Sequence, residues 1–366
     1  MIFRMRRTHR GASTGDGVPA GVRDTRSSRV DRDALFVAGM IALSLFRNGF
    51  GTMPRLHFYA VDYVDALPGV ARRNPIDQWQ LWSPLGPIAA RTLGIHSVSG
   101  YAALHGCVLL VGFFLLVIGV RRTRGSLAMR VATVAFVSLP ISVVLQSWVG
   151  SYDAWVFILA TTIVVCRSRE VALLAGVGLA LANFEQGLII VVLLTLVAWA
   201  AAEGSVARCI ASAVGLGTGR IALGIWLYRN GVRHGRLDVV RRMGISYPAS
   251  VAERHWVLLT LGLLGVGLPL VVAIASSGRR ECVLTLTVVM LAVAPMLVST
   301  DETRVYALIT WPPLLALAIG AAARNPDRMR RVLRPTVAAA LILPGWFVWF
   351  GRPFLSQFHW LRLFGA

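Results

Sequence analysis

Long apolar runs separated by clusters of arginine are the feature that most limits what this chain can fold into. A helix needs about 20 apolar residues to cross a bilayer core that is about 30 Å thick. Inside the bilayer no water is present to bind the backbone polar groups, so a run that crosses it must form a helix or join a closed barrel. The length of these runs therefore predicts an all-α, polytopic transmembrane helical bundle.

About eleven spans are predicted, and residues 169–202 are divided between two of them. One continuous helix over these residues would be about 50 Å long, which is too long for the bilayer. We therefore expect a tight turn at residues 183–186. The predicted spans are residues 34–50, 101–120, 131–147, 152–166, 169–183, 186–202, 208–227, 256–276, 282–298, 304–323 and 334–350. The transmembrane domain, 34–350, is expected to follow a disordered basic tail, 1–33, and to precede a short C-terminal tail, 351–366.

The charge pattern predicts an orientation and excludes one class of protein. All 37 basic residues are arginine, and against 17 acidic residues they give a net charge of +20. A nucleic-acid-binding protein would gather its arginines on one solvated face, whereas here they punctuate the apolar runs. Arginines are dense before the first span and at residues 121–130, which predicts that both segments are cytoplasmic. Residues 51–100 and 228–255 are then outer loops. The lysine-free composition is typical of a GC-rich bacterial genome, such as an actinobacterial one, and predicts a bacterial plasma membrane.

The first outer loop contains two aspartates that are candidates for a catalytic base. Asp62 and Asp65 flank Tyr63 and, three residues apart, would share one face of a helix. Repulsion between the two carboxylates would raise the pKa of one of them and make it a better base. Alternatively, both are solvated or pair with Arg72 and Arg73. The two aspartates could also bind a divalent cation weakly, and no other cofactor is indicated.

The same loop continues into a segment with the composition of an interfacial helix. Residues 76–93 place Trp79 and Trp82 among leucines, polar residues and prolines. This mixture suits a helix that lies in the plane of the membrane surface.

Further charged residues are predicted at the outer ends of spans. These are Asp153 in GSYDAW, Glu185 in NFEQG, and Asp301, Glu302 and Arg304 in STDETRVY. A carboxylate that faces a membrane bundle is costly unless it is paired or used, so each is a candidate functional residue. For Asp153, Ser151 and Asp301 the alternative is a helix N-cap.

Two arginines are candidate phosphate ligands. Arg220 lies midway along a predicted span, where it either faces a polar cavity that holds a lipid phosphate or pairs with a buried carboxylate. Arg242 belongs to the basic outer loop 228–255, which favours an anionic headgroup or is merely solvated. The glycines around Arg220, in GLGTGRIALG, lie inside an apolar span, and there they indicate close helix packing rather than a dinucleotide site.

Taken together, these motifs resemble the GT-C superfamily of integral membrane glycosyltransferases. The resemblance rests on FYAVDYVDAL, SPLGP, GSYDAW, FEQG and DETRVY in this order. It implies inverting transfer of a sugar from a polyprenyl-phosphate donor to a glycan or glycolipid acceptor of the cell envelope, on the extracytoplasmic face. In that family a first-loop aspartate is the base, which here is Asp62 or Asp65. The implied phosphate ligands are Arg72, Arg73, Arg220, Arg242 or Arg304, and the implied sugar or lipid contacts are Tyr63, Trp79 and Trp82. The chain departs from many members because only residues 351–366 follow its last predicted span.

Other classes of membrane protein remain open on the sequence. A lipid-linked-sugar flippase or transporter would be expected to repeat one half of the chain in the other, and no convincing repeat is visible. A polysaccharide polymerase or ligase would use a basic outer loop such as residues 228–255. That class predicts a requirement for an outer-loop histidine or arginine, with Asp62 and Asp65 dispensable. A non-catalytic scaffold would tolerate the loss of all of these residues.

Overall fold

Helices form most of the part of the chain that the structure describes. The computed structural model describes residues 21–53, 56–65, 81–201, 205–233, 263–297, 299, 301–349 and 352–355. Its α-helices are α1 Gly21–Asn48, α2 Leu85–Thr92, α3 Val98–Arg124, α4 Ser126–Ser138, α5 Pro140–Ser147, α6 Asp153–Val165, α7 Arg169–Ala200, α8 Val206–Arg229, α9 Leu268–Ala275, α10 Arg279–Leu297, α11 Glu302–Arg324 and α12 Pro326–Ile342. A π-helical turn, Phe58–Tyr63, and a 3₁₀ turn, Gly265–Gly267, complete the helical elements.

Several of these helices are long and apolar enough to cross a membrane. Among the described residues they are α3, α7, α8, α10 and α11, and the bent pair α4–α5 would make a sixth. Large apolar side chains such as Phe114, Val192 and Ile221 are exposed on their surfaces. Such surfaces are covered by lipid rather than by water. The protein is therefore a helical membrane protein.

The bundle has two chemically different ends. Helices α6 and α11 begin near Asp153 and Arg304, and this end is called the carboxylate end. The same helices reach Val165 and Arg324 at the other end, called the arginine end, where both residues line one cavity. The arginine end also contains Asp33, which pairs with Arg130 at 2.9 Å. Other arginines there are Arg121, Arg124, Arg208 and Arg280.

Helix α7 is a hairpin whose two arms both meet the arginine end. Asn183 has extended backbone angles (φ −164°, ψ 98°), which interrupt the helix. A Cβ atom on Gly187 would lie 3.1 Å from Cβ of Leu179, whereas in a straight helix eight residues rise about 12 Å. The Oδ1 atom of Asn183 accepts a hydrogen bond from the backbone N–H of Gln186 and so caps the second arm. The predicted turn at residues 183–186 agrees with this geometry.

Small residues allow the first arm of α7 to pack directly on α8. A Cβ atom on Gly176 would lie 2.1 Å from the carbonyl oxygen of Ser212, and one on Gly215 would lie 2.0 Å from that of Leu173. Only a glycine at each position permits so close a backbone approach. The glycines of GLGTGRIALG therefore contribute to helix packing, as their apolar context indicates.

Residues 131–147, predicted as one span, form two helices that meet at a bend of 59°. Leu139 is extended because the ring of Pro140 excludes the helical conformation from the residue before it. Pro140 then begins α5, where a missing backbone N–H costs nothing. Rings of Phe136, Phe157 and Trp311 pack around this region with centroid distances of 5.4–5.9 Å.

The structure differs from the sequence prediction at both ends of the chain. Helix α1 begins at Gly21, inside residues 1–33, which were expected to be disordered. The last predicted span, 334–350, ends too late, because α12 stops at Ile342 and a β-hairpin follows. Strands β1 Trp346–Trp349 and β2 Arg352–Leu355 pair antiparallel, with Trp346 opposite Leu355. Pro344 and Gly345 break the helix, and the aromatic and β-branched residues of WFVW favour a strand. The described residues are otherwise helical, in agreement with the all-α prediction, and this hairpin is a local exception to it.

Candidate active site

A buried ion cluster occupies the carboxylate end, with Arg304 at its centre. Nε of Arg304 donates to Oδ2 of Asp153 at 2.7 Å, and Nη1 donates to Oδ2 of Asp301 at 2.9 Å. Nη2 donates to the hydroxyl of Ser151 at 3.2 Å. The three residues Asp153, Asp301 and Arg304 were all predicted from sequence as candidates, and the structure brings them into direct contact.

The centre of this cluster is nearly closed to its surroundings. The side chains of Arg304 and Asp153 are 8% and 1% exposed, and rings of Trp148 and Tyr152 lie 4.8 Å and 4.6 Å from the guanidinium carbon. Two carboxylates, those of Asp153 and Asp301, contact the one guanidinium of Arg304. Among the described residues, no group donates a hydrogen bond to the buried Oδ1 atom of Asp153. The cluster can therefore accept one more donor, such as a hydroxyl group.

The local fold explains why the carboxylates are available for Arg304. Gly150 adopts a positive φ of 98°, which turns the chain sharply into α6. The hydroxyl of Ser151 accepts from the backbone N–H of Asp153, and the hydroxyl of Ser299 does the same for Asp301. Neither carboxylate caps its helix. Asp301 occupies the N-cap position of α11 without a capping hydrogen bond from its side chain, and Asp153 is already the first residue of α6, so capping does not account for either carboxylate.

Arg220 forms a second cluster, in which aromatic rings cover its charge. Its guanidinium carbon lies 3.9 Å from the ring centre of Trp82 and 4.8 Å from that of Phe184. A cation is attracted to the face of an aromatic ring, and the attraction increases where water is excluded. Phe184 and Glu185 lie at the turn of α7, so the hairpin places this predicted candidate segment beside Arg220.

The two candidate bases of the first loop are exposed. Asp62 and Asp65 lie on the outside of the segment 56–65. Oδ1 of Asp65 contacts Nδ1 of His96 at 2.6 Å, with the two side chains 51% and 55% exposed. His96 is thus a partner of Asp65 that the sequence analysis did not name. A neutral His96 that donates Nδ1–H to Asp65 would present Nε2 as an acceptor.

Tyr63, between the two aspartates, points inwards. Its hydroxyl donates to the carbonyl oxygen of Leu81 at 2.8 Å, and its side chain is 1% exposed. Burial raises the pKa of Tyr63 well above the ordinary value for tyrosine, so the phenol stays protonated. Tyr63 therefore anchors the first loop next to Trp82 rather than contacting solvent.

A chain of contacts connects this loop with the start of α6. Gly86 of α2 lies directly on α3, where an added Cβ would be 2.6 Å from the hydroxyl of Tyr101 and 2.8 Å from Nε2 of His105. His105 Nδ1 contacts the carbonyl oxygen of Tyr101, and Nε2 accepts from the indole N–H of Trp155. Since a carbonyl oxygen only accepts, His105 carries its proton on Nδ1. The SPLGP segment and GSYDAW therefore meet through His105.

The remaining predicted candidates have different outcomes. Arg72, Arg73, Trp79 and Arg242 lie outside the described residues. Glu302 is the first residue of α11. Among the described residues, no group of three or more histidine, cysteine, aspartate or glutamate side chains could hold a metal ion.

Sequence reasoning missed residues that have no charge or no distinctive spacing. Trp148, Tyr152 and Phe184 cover the two arginines, and His96 and His105 connect elements that are far apart in the chain. For the three aromatic residues, the sequence offered one signal, which is their closeness along the chain to a candidate carboxylate. Trp148, Tyr152 and Phe184 each lie within five residues of a carboxylate at a predicted span end.

Comparison of the chain with family models, with curated proteins and with solved structures finds no match. The candidate site is therefore interpreted from its own residues.

Proposed function

We propose that this protein is an integral membrane glycosyltransferase of the GT-C type, which transfers a sugar from a polyprenyl-phosphate donor at the carboxylate end. The observation that carries the proposal is the grouping of acidic and aromatic residues at that end. The exposed pair Asp65–His96, the aromatic cluster of Arg220, and the buried Arg304 cluster are connected there through the first loop and His105.

The distribution of arginine supports placing the carboxylate end outside the cell. Arginines near the ends of spans are retained in the cytoplasm, and those from the loops after α3, α6 and α7 all meet at the arginine end. The proposed path has eleven passes, of which the two arms of α7 are two. The acidic residues of the first loop and of the Arg304 cluster then face the compartment where lipid-linked donors deliver their sugars.

The proposed roles follow from exposure and charge. Asp65 or Asp62 is accessible to an acceptor hydroxyl and would remove its proton as the oxygen attacks the anomeric carbon. The polyprenyl phosphate leaves as the sugar–oxygen bond breaks, and its negative charge needs a cation. Arg220, beside Trp82 on the first loop, is the described arginine that we assign to this phosphate. Oδ1 of Asp153 would accept a hydrogen bond from a sugar hydroxyl.

The experiment measures transfer of radiolabelled sugar from polyprenyl-phosphate donors in membranes that contain the wild-type chain or the variants Asp62→Asn and Asp65→Asn. We expect one of the two to lose at least 100-fold in rate, as is typical when a general base is removed. Asp327→Asn is the matched control, because Asp327 is an exposed aspartate of the arginine end with an ordinary partner, Arg330. It should retain full transfer at equal protein level.

Wild-type transfer by both variants would contradict a first-loop aspartate base. The contact between His96 and Asp65 favours one alternative, a polysaccharide polymerase or ligase in which the histidine acts. In that case His96→Gln abolishes activity, whereas Asp62→Asn and Asp65→Asn do not. If His96→Gln also has no effect, the first loop is not the reaction site.

A further inference from the structure

His105 lies between the first loop and the start of α6, where it contacts both parts of the candidate site. It belongs to the second turn of α3 and is 1% exposed. On one side it meets Gly86 of α2, which follows Trp82 along the first loop. On the other side it meets Trp155 of α6, which lies just after Asp153.

Both ring nitrogens of His105 are engaged, and they have different roles. Nδ1 donates to the carbonyl oxygen of Tyr101 at 2.9 Å, and Nε2 accepts the indole N–H of Trp155 at 3.1 Å. The imidazole also packs on the ring of Tyr101, with centroids 4.3 Å apart, and lies perpendicular to the ring of Trp155. Rotation of the imidazole would break both hydrogen bonds, so these contacts fix its orientation.

The backbone of α2 rests on the same edge of the imidazole that binds Trp155. A Cβ atom on Gly86 would lie 2.8 Å from Nε2 of His105 and 2.6 Å from the hydroxyl oxygen of Tyr101. Only a glycine lets the helix approach this closely. Because α2 and α6 both contact this edge, neither helix can move towards the other without displacing His105.

The hydrogen bond with Trp155 therefore restrains the start of α6. Trp155 and Asp153 lie in the same first turn of that helix, and Asp153 also interacts electrostatically with His105. A group that binds substrate must be held to within about 0.5 Å of its productive position by the residues around it. His105 and Trp155 provide such support for Asp153.

We propose that His105 is a positioning residue, which holds Asp153 in place relative to the first loop through its hydrogen bond with Trp155. This role rests on the proposed function, in which Oδ1 of Asp153 accepts a hydrogen bond from a hydroxyl of the transferred sugar. His105 does not touch the sugar in this role. It fixes the separation between the sugar-binding carboxylate and the loop that carries Asp62 and Asp65.

Two amide variants of His105 test the hydrogen bond separately from side-chain polarity. The amide oxygen of glutamine reaches the position of Nε2 and can accept the indole N–H, whereas the shorter asparagine places its amide near Nδ1. In the transfer assay, His105→Asn should raise KM for the polyprenyl-phosphate donor about tenfold, which is typical for one lost hydrogen bond to a charged group. The value of kcat should hardly change, because a sugar hydroxyl bound to Asp153 is held equally in the ground state and in the transition state. His105→Gln should keep KM close to the wild-type value.

Two further measurements identify the contact itself. Trp155→Phe removes the donor and should raise KM as much as His105→Asn does, and combining the two changes should raise it no further, because they remove one shared contact. The nuclear magnetic resonance signal of the Trp155 indole N–H, assigned by its loss in Trp155→Phe, should move upfield in His105→Asn and stay in place in His105→Gln. This measurement needs no substrate. The matched control is Trp199→Phe, since Trp199 is 71% exposed on α7, and it should behave like the wild type.

Three results would overturn the proposal. Equal KM values in His105→Asn and His105→Gln would show that the hydrogen bond with Trp155 does not matter for binding. An unchanged Trp155 signal in His105→Asn would show that the hydrogen bond is not formed. An increase of KM in Trp199→Phe as large as that in Trp155→Phe would show a general effect of losing a tryptophan.

Failure of the proposed function is distinguishable from these results. If the wild type transfers no sugar from any polyprenyl-phosphate donor, the glycosyltransferase assignment is wrong and the role of His105 in sugar binding is wrong with it. The indole signal still shows in that case whether His105 binds Trp155, because it is measured without substrate.

Discussion

Replacing Arg304 by glutamine should destabilise the protein more than any other single loss of charge among the described residues at the carboxylate end. The change removes three hydrogen bonds at 2.7–3.2 Å, two of them to carboxylates. It also leaves Asp153, only 1% exposed, as an uncompensated charge. Breaking a buried ion pair from one side costs about 3–5 kcal/mol. Asp301 is 24% exposed, so removing its carboxylate should cost about 1 kcal/mol or less.

A double-mutant cycle separates the ion pair from general packing effects. The free energy of unfolding is measured by titration with sodium dodecyl sulfate in mixed micelles, for Arg304→Gln, Asp153→Asn and the double variant. In the double variant the buried charge is gone, so its cost should be smaller than the sum of the two single costs by about 2 kcal/mol, within the range for coupled contacts. Arg330→Gln, at an exposed pair, should unfold like the wild type.

Two outcomes would refute this reasoning. If Arg304→Gln lies within about 1 kcal/mol of the wild type, Asp153 is not held as a buried anion. If the free-energy cost of the double variant equals the sum of the two single costs, the Arg304–Asp153 contact has no coupling energy. The loss of stability in Arg304→Gln would then come mainly from its contacts with the rings of Trp148 and Tyr152.

Two further predictions concern packing and titration. Gly176→Ala should cost about 1–3 kcal/mol in the same unfolding assay, because the new Cβ would overlap the Ser212 carbonyl oxygen. The control is Gly217→Ala, which should be neutral or stabilising because nothing lies within 4 Å of the added Cβ. Equal losses of stability in the two variants would contradict the close contact at Gly176. Tyr63→Phe should cost about 1 kcal/mol for its lost hydrogen bond. Burial raises the pKa of Tyr63 in the folded state, so wild-type stability is full below about pH 10 and decreases as the unfolded phenol ionises above it. The phenylalanine variant should show a smaller alkaline decrease than the wild type, because the contribution of Tyr63 is removed while other buried tyrosines, such as Tyr101, remain; parallel pH curves would contradict a buried phenol.

The helical membrane character of the chain could be predicted from the sequence, because long apolar runs report directly on the bilayer. The turn at Asn183 is the clearest case, since a single helix would have been longer than the membrane is thick. The bend before Pro140 could have been found from the same sequence, since proline restricts the residue before it. The β-hairpin after Pro344 was missed because four aromatic and β-branched residues read equally well as the end of a membrane span.

For the candidate site, the sequence could indicate which residues are candidates but not which of them contact one another. Asp153, Asp301 and Arg304 were selected because charges are costly at span ends, but nothing in their spacing says that residues 151 positions apart form a hydrogen bond. Pairing depends on how α6 and α11 cross, which is set by the core packing of Phe157 and Trp311. The partner of Asp65 was missed for the same reason, since His96 lies 31 residues away.

The hairpin of α7 links the fold to the proposed chemistry. Its first arm, residues 169–182, would be about 21 Å long, which is shorter than the bilayer core. Its turn therefore ends within the thickness of a membrane, where Phe184 contacts Arg220. The guanidinium of Arg220 is held there between the rings of Phe184 and Trp82, which shield it from water. The close packing at Gly176 and Gly215 fixes the hairpin against α8, which carries Arg220, so the same glycines that determine the fold also position the proposed phosphate ligand.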